Sequence, residues 1–365
     1  MRVDYRVHSE QKVVSIRSLK DIQHIRKTIL AAGAIALALT ACQQDIAGPT
    51  SEIEAPRASL TTAGTWVVRA DLAKTVYDAS SASITNASTL RTLVYVIGGR
   101  SSGDGTITPV VKAFDVSSNV WRSKANYPLP VEKTNGAVEL NGKIYVSGGF
   151  TRRYDATRNA YRLETLARVY AFNPATNAWT RRQDMPFPSV RGVSDASNGL
   201  LYVATSCYNL DVCGNNSSQG ALWRYNPATD RWVLLTRTPH DPGYGAGGFI
   251  RGKLYLVEDL GALDIYDPAT KTWSSGAKRP HRFCSPASTT WQGKLYLVGC
   301  HDDLDGSGNW PMLVFDPKTN SWSEAPAPPK PATDRWTLSR VVVNGKPGLE
   351  LVGGPAPGNN LQFKP

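Results

Sequence analysis

One recurring segment constrains this chain more than any other feature of it. FNPATNAW, Phe172 to Trp179, has close copies in FDVSSNVW (Phe114 to Trp121), YNPATDRW (Tyr225 to Trp232), YDPATKTW (Tyr266 to Trp273) and FDPKTNSW (Phe315 to Trp322). Each copy reads as strand, turn and strand. The leading aromatic packs on a sheet face, Asp or Asn bonds the backbone two residues on, and Pro presets φ for a tight turn before Trp enters the next strand. The Trp positions are 58, 53, 41 and 49 residues apart, a period of radial arrays rather than of thin solenoids.

A second element precedes each turn: YVIGG (Tyr95 to Gly99), YVSGG (Tyr145 to Gly149), YVATS (Tyr202 to Ser206), YLVED (Tyr255 to Asp259), YLVGC (Tyr296 to Cys300) and LVGG (Leu351 to Gly354). These are short apolar strands, and paired glycines at a strand end mark close backbone approach. Two-residue hairpin signals, Asn141-Gly142, Arg251-Gly252, Gln292-Gly293 and Asn344-Gly345, come just before, so each unit is four antiparallel strands. Double glycine, aromatic-Asp-Pro turn and Trp together resemble the kelch repeat, from about Thr85 to the C-terminus. The resemblance implies an all-β, six-bladed kelch-type β-propeller. The chain ends at Leu361 to Pro365 just where a turn and Trp strand are due, and Gly64-Thr65-Trp66-Val67-Val68 supplies a Trp strand at the other end. The N-terminal strand around Trp66 is therefore expected to close the last blade, leaving no free sheet edge.

The domain plan follows: residues 1–41 a signal peptide of lipoprotein type, 42–63 a flexible tether, 64–365 the propeller. Arg26 and Lys27 precede an apolar run, Ile29 to Leu39, too short to span a bilayer comfortably. Leu39-Thr40-Ala41-Cys42 resembles a bacterial lipobox, which implies lipidation at Cys42; an ordinary secretory signal cleaved near Ala41 is the alternative. A start codon further downstream would account for the long leader, Met1 to Ile25. Gln43 after the lipid Cys implies an outer-membrane lipoprotein of the cell envelope, facing periplasm or exterior. Residues 1–41 carry a net +4 of the chain's +11, and the remaining excess is scattered, so no nucleic-acid partner is expected. The four other cysteines, Cys207, Cys213, Cys284 and Cys300, suit two disulfides in an exported protein, with buried thiols as the alternative.

In a four-stranded blade, tight turns lie on one face of the ring; the links between second and third strands and between blades lie on the other. The second set is long here, as in Arg100 to Val110, Phe150 to Arg168, Cys207 to Gly220 and His301 to Pro311. The ligand face is expected there, around the central channel. The lead-ins to five innermost strands carry Lys133, Arg191, Tyr244, Arg282 and Arg335, a cationic ring with one stacking aromatic suited to carboxylates, phosphates and sugars. The alternative is that these arginines bond neighbouring-blade carbonyls.

Other candidates are weaker. His240, His281 and His301 fall on the same face without paired ligand spacing, and no metal site is expected of them. Asp303, Asp305 and Ser307 resemble half of a calcium loop, but Val314 stands where an EF-hand needs Glu, so a looser calcium loop or a plain solvated turn remains and otherwise no cofactor is expected. A Tyr-His dipeptide is lacking, so the copper chemistry of galactose oxidase, also a kelch propeller, does not carry over. Glu132, Asp195 and Glu258 lie near the expected channel as acids or bases or as ordinary turn residues. No other catalytic motif occurs.

Two functional readings result. One is a lipid-anchored envelope module binding a glycan or protein through its loop face, a carbohydrate-binding or protein-protein interaction role without catalysis. The other is a carbohydrate-active enzyme resembling sialic-acid mutarotase, which places an acid or base and an arginine over an anionic sugar.

Overall fold

Four strands with alternating or wholly apolar patterns, broken by Gly and Asx turns, repeat six times and build six antiparallel sheets. The computed structural model describes residues 64–365 apart from 75, 207–219, 244, 259, 281–282, 302–310, 330–335 and 354–358, and apart from the side chains of 283–285, 300 and 301. The described residues contain no helix. From the axis outward, blade one is Ser80–Thr85, Thr92–Ile97, Val111–Asp115 and Val120–Lys124, and blade two is Ala137–Leu140, Lys143–Ser147, Val169–Asn173 and Ala178–Arg182. Blade three is Val193–Ser197, Leu200–Thr205, Ala221–Asn226 and Arg231–Arg237; blade four is Ala246–Ile250, Lys253–Val257, Leu263–Asp267 and Thr272–Ser275. Blade five is Phe283–Trp291, Lys294–His301, Met312–Asp316 and Ser321–Ala325.

Blade six joins the two ends of the chain. Its inner strands are Thr337–Val343, Lys346–Val352 and Asn360–Lys364, and its outermost is Thr65–Val68, in which Trp66 lies opposite Phe363 with ring centroids 5.2 Å apart. The same aromatic pairing recurs in every other blade, for example Phe172 with Trp179 at 5.0 Å. The closure expected from the sequence is therefore the observed one. Second strands such as Thr92–Ile97 are almost wholly apolar because both their faces press on neighbouring blades. Each seam holds its own apolar cluster; Tyr95 and Ala113 of blade one, for instance, meet Ile144 and Phe172 of blade two.

The repeated Trp also ties blade to blade. Its indole N–H donates to a carbonyl just past the outermost strand of the preceding blade: Trp121 to Ala70 at 2.8 Å, Trp179 to Ala125 at 3.0 Å, Trp232 to Gln183 at 2.9 Å, Trp322 to Ala277 at 2.8 Å and Trp66 to Pro326 at 2.8 Å. In four blades the receiving residue also donates its own N–H to the turn residue two before the Trp, as Ala125 does to Asn177 Oδ1 at 3.0 Å and Gln183 to Asp230 Oδ1 at 3.0 Å. Ala70 with Asn119 and Ala277 with Asn320 complete the set. These turn residues sit at φ between 48° and 59°, a left-handed conformation Asn and Asp adopt at low cost. Blade four departs from the rule. Lys271 occupies the turn position at φ 58° and has no side-chain oxygen to accept, and the Trp273 indole N–H is buried without a partner. The preceding blade has a register irregularity between Leu222 and Trp223, which shifts its outermost strand.

The double glycines have a steric cause. A Cβ on Gly98 would lie 2.3 Å from the carbonyl oxygen of Val131, and one on Gly148 would lie 2.3 Å from that of Ser189, where the link into the next blade crosses. Two links among the described residues form small side sheets: Val76–Tyr77 with Arg100–Ser101, and the hairpin Phe150–Asp155 with Ala160–Thr165. The ladder sets Cys284 directly opposite Cys300, and antiparallel neighbours have Cα atoms about 4.5–5.5 Å apart, within a disulfide's span. Cys42, Cys207, Cys213 and the segment with Asp303, Asp305 and Ser307 lie outside the described residues.

Candidate functional site: the mouth and bore of the channel

Six innermost strands begin around one opening, and the links that feed them set its chemistry. The opening is a cavity of about 220 Å³ to which all six blades contribute. Asp78, Lys133 and Arg191 hold equivalent places in blades one, two and three. The Lys133 N–H donates to the Asp78 carbonyl at 2.9 Å and the Arg191 N–H to the Lys133 carbonyl at 3.0 Å, so successive lead-ins are strung together around the rim. All three have left-handed backbone, φ 58°, 52° and 56°, which is costly for long side chains and is held by the surrounding bonds.

Two of the five residues assigned to the ring from sequence, Lys133 and Arg191, line the mouth; Tyr244, Arg282 and Arg335 lie outside the described residues. The ring is not uniformly cationic. Asp78, the blade-one counterpart, places Oδ2 3.5 Å from Lys133 Nζ, and both side chains are mostly buried. Asp78 is not reached from sequence because blade one lacks a full repeat before it and its distance to the following glycine strand is longer, 20 residues to Gly98 against 15 from Lys133 to Gly148. Small hydroxyl side chains fill the rest of the rim: Ser80 bonds Thr134, and Ser81 lies 2.9 Å from Ser339 across the seam between blades one and six.

Further down, the bore narrows to a space of about 100 Å³ whose lining includes Asp195, Glu139 and Arg340. Asp195 Oδ2 accepts the Phe249 N–H from the next blade at 2.6 Å, and Oδ1 accepts the Ala196 N–H at 2.8 Å. That approach requires Gly248, where a Cβ would stand 2.9 Å from Asp195 Oδ2 and 2.7 Å from the Thr290 methyl. Burial pushes the Asp195 carboxyl upward, opposed by the two N–H donors and the charge of Arg340. Asp195 is thus an acid set in the bore wall and in contact with channel solvent.

The other two candidate carboxylates have structural partners. Glu132 is buried and takes both arms of Arg100, with Nε at 2.7 Å, joining the blade-one link to the blade-two lead-in. Glu258 accepts the N–H groups of Leu260 and Ala262 at 2.8 and 2.9 Å and so caps its own turn. His240 Nδ1 lies 3.0 Å from both Asp264 oxygens. His281 and the His301 side chain are outside the described residues, and among the described residues no three His, Cys, Asp or Glu side chains gather as metal ligands.

Comparison with known proteins agrees with this architecture. The kelch motif is matched twice, over residues 134–186 and 282–329. An F-box/kelch-repeat protein of Arabidopsis thaliana is 31% identical over 148 residues, 40% of this chain and 41% of that protein. Kelch repeat and BTB domain-containing protein 12 of Danio rerio is 29% identical over 177 residues, 45% of this chain and 27% of its own length. The chain thus spans less than half the length of these relatives. The solved structure of YjhT superposes with a TM-score of 0.59 at 15% identity, covering 81% of this chain and 95% of that one, a likeness of fold. Repeated motif, Trp-closed blades and six-fold ring together make the chain a kelch-repeat β-propeller.

Proposed function

We propose that this protein is a binding and interaction module that takes an anionic group of a glycan or protein ligand at the channel mouth. A fold of this kind hosts many activities, so the reading has to rest on the site. The observation that carries it is the placing of Lys133 and Arg191 on consecutive blades of one strained, hydrogen-bonded rim above a hydroxyl-lined bore. The size of the cavity refines it: about 220 Å³ is below the roughly 300–1,000 Å³ of pockets that enclose a whole small molecule. The mouth therefore suits one terminal group of a larger ligand, with the long links contacting the remainder. A glycan array probed with the purified protein tests this: carboxylate-bearing termini are expected among the bound glycans, and a pattern indifferent to charge would count against it.

One observation favours a second reading, an epimerase resembling sialic-acid mutarotase. Asp195 supplies an acid in the bore with its carboxyl pushed toward the protonated form, and Arg340 supplies a cation in the same space. Following anomeric exchange of anionic sugars by NMR separates the readings, because a pure binder broadens signals without speeding exchange. For location, Leu39-Thr40-Ala41-Cys42 supports export and lipid attachment at Cys42, with the propeller held at the cell envelope. Membrane partitioning of a Cys42→Ala variant tests that assignment; retention in membranes would refute it.

A further inference from the structure

The link between the second and third strands of blade two carries more structure than a connection needs. Phe150–Asp155 and Ala160–Thr165 form a regular two-stranded ladder, anchored at its base where Phe150 and Glu132 exchange backbone hydrogen bonds of 2.8 and 3.0 Å. The register sorts its side chains onto two faces. Arg152, Tyr154, Tyr161 and Leu163 share one, and Arg153, Arg162, Asp155 and Glu164 share the other. Tyr154, Tyr161 and Leu163 are 50%, 70% and 54% exposed, and the two tyrosine rings pack edge to face at 5.4 Å. A lone hairpin is marginal in water, and this one also sets Arg153 directly opposite Arg162. Exposed apolar stripe and like-charge pair both run against the hairpin's own stability.

The exposed stripe, with Arg152 on the same face, becomes favourable against a suitable partner. We propose that this hairpin is a docking surface for a protein whose contact patch surrounds an apolar centre with carboxylates. Tyr and Arg are the residue types enriched in the cores of protein interfaces, where Lys is depleted, and residues 150–165 contain four arginines and no lysine. A lipid headgroup surface draws lysine equally well, whereas the planar guanidinium fork selects carboxylate geometry. Asp155 and Glu164 offset only part of the positive charge, leaving the hairpin net +2, and Arg152 has no ion-pair partner among the described residues. A second copy of this chain, whose residues 42–365 carry +7 (+11 less the +4 of residues 1–41), is disfavoured as occupant by the same charges. The hairpin stands on the face where the channel opens, so a docked protein would sit beside the mouth; the proposal holds whether or not the mouth binds a sugar.

Site-specific photocrosslinking in the producing cells tests it, with benzoylphenylalanine replacing Tyr161 or Leu163, and replacing Thr176 on the opposite face of the same blade as control. The expected result is one protein adduct from 161 and 163 that is absent from 176. That adduct should fall at least tenfold when Arg152→Glu, on the same face, is added. The protein identified from it, once purified, should bind the wild-type chain at least tenfold more tightly than a Tyr154→Ser/Leu163→Ser variant with unchanged melting. The proposal is overturned by no adduct, by adducts to lipid or to a second copy, by equal adducts at 176, or by equal binding to the hairpin variants. Hairpin-dependent binding to vesicles of anionic phospholipid, without a protein adduct, would assign the surface to a membrane instead and equally overturn it.

Discussion

The indole N–H of Trp66 donates to the carbonyl of Pro326 at 2.8 Å across 260 residues of chain. It is the same bond that Trp121, Trp179, Trp232 and Trp322 make to the blade before them. Because residue 326 is proline it has no N–H to return, and because the chain's two ends meet in blade six there is no turn Asn to receive one. The closing seam therefore rests on one clamp where four others have two.

That difference gives a graded prediction. Trp66→Phe keeps an aromatic against Phe363 but loses the bond to Pro326, and is expected to cost about 1 kcal/mol. Trp66→Ala loses the ring as well and is expected to cost about 3 kcal/mol, lowering the cooperative melt of the whole propeller rather than of one blade. Denaturant unfolding followed by tryptophan fluorescence measures both; a Trp66→Ala protein melting like the wild type would contradict the closure.

The seam between blades three and four is expected to be improvable. Lys271→Asn places an Asx residue at a turn already in the left-handed conformation, and should stabilise by about 0.5–1 kcal/mol through lower backbone strain. The converse change, Asn177→Ala, removes the acceptor for the Ala125 N–H and should destabilise by about 1–2 kcal/mol. Paired thermal melts decide the matter, and the two substitutions should move in opposite directions.

Glu350 makes stability depend on pH. It is fully buried in blade six with Gln362 Nε2 3.2 Å from Oε2, and burial pushes its pKa up to about 8 against the opposing charge of Arg69. A carboxyl raised in the folded state contributes stability that is fully present below its unfolded pKa, near 4.5, and is lost as pH rises through 8. Stability should therefore fall between pH 5 and pH 8.5 by on the order of a few kcal/mol. Glu350→Gln should flatten that slope and melt higher than wild type at pH 8.5; an unchanged slope in the variant would assign the dependence to other groups, Asp195 among them.

Gly248 tests the setting of Asp195. Gly248→Ala pushes a methyl against the carboxylate and Thr290, and should cost about 1–3 kcal/mol as an overpacked site. Gly248→Ala in an Asp195→Ala background should cost markedly less, since the carboxylate contact is removed. Double-mutant-cycle melts read that coupling directly.

The ring was legible because its repeat states its own physics. Each aromatic, Asx, turn residue and Trp has one job that recurs, and Trp66 with Phe363 could be matched by what each end of the chain lacked. The site was less legible. Lys133 and Arg191 were reachable by counting back from hairpin glycines, yet Asp78 escaped that count, and its ion pair with Lys133 changes the charge of the rim. Glu132 and Asp195 look alike in sequence, being single carboxylates close to inner strands. Only their neighbours separate them: Arg100 neutralises the first, whereas two backbone N–H groups and an empty Gly248 position hold the second in the bore. The hairpin at Phe150–Asp155 was legible as a long link but not as a ladder, since its alternation of Arg and Tyr serves no core.

The central claim is that the mouth, through Lys133 and Arg191, recognises negative charge. Saturation-transfer NMR with glucuronate and with glucose, on the wild type, on Lys133→Gln/Arg191→Gln and on Lys271→Gln at the opposite face, tests it most directly. The account predicts transfer to glucuronate alone, retained in Lys271→Gln and lost in the double variant while its melting stays cooperative. Equal transfer to both sugars, or glucuronate binding that survives in the folded double variant, would contradict it.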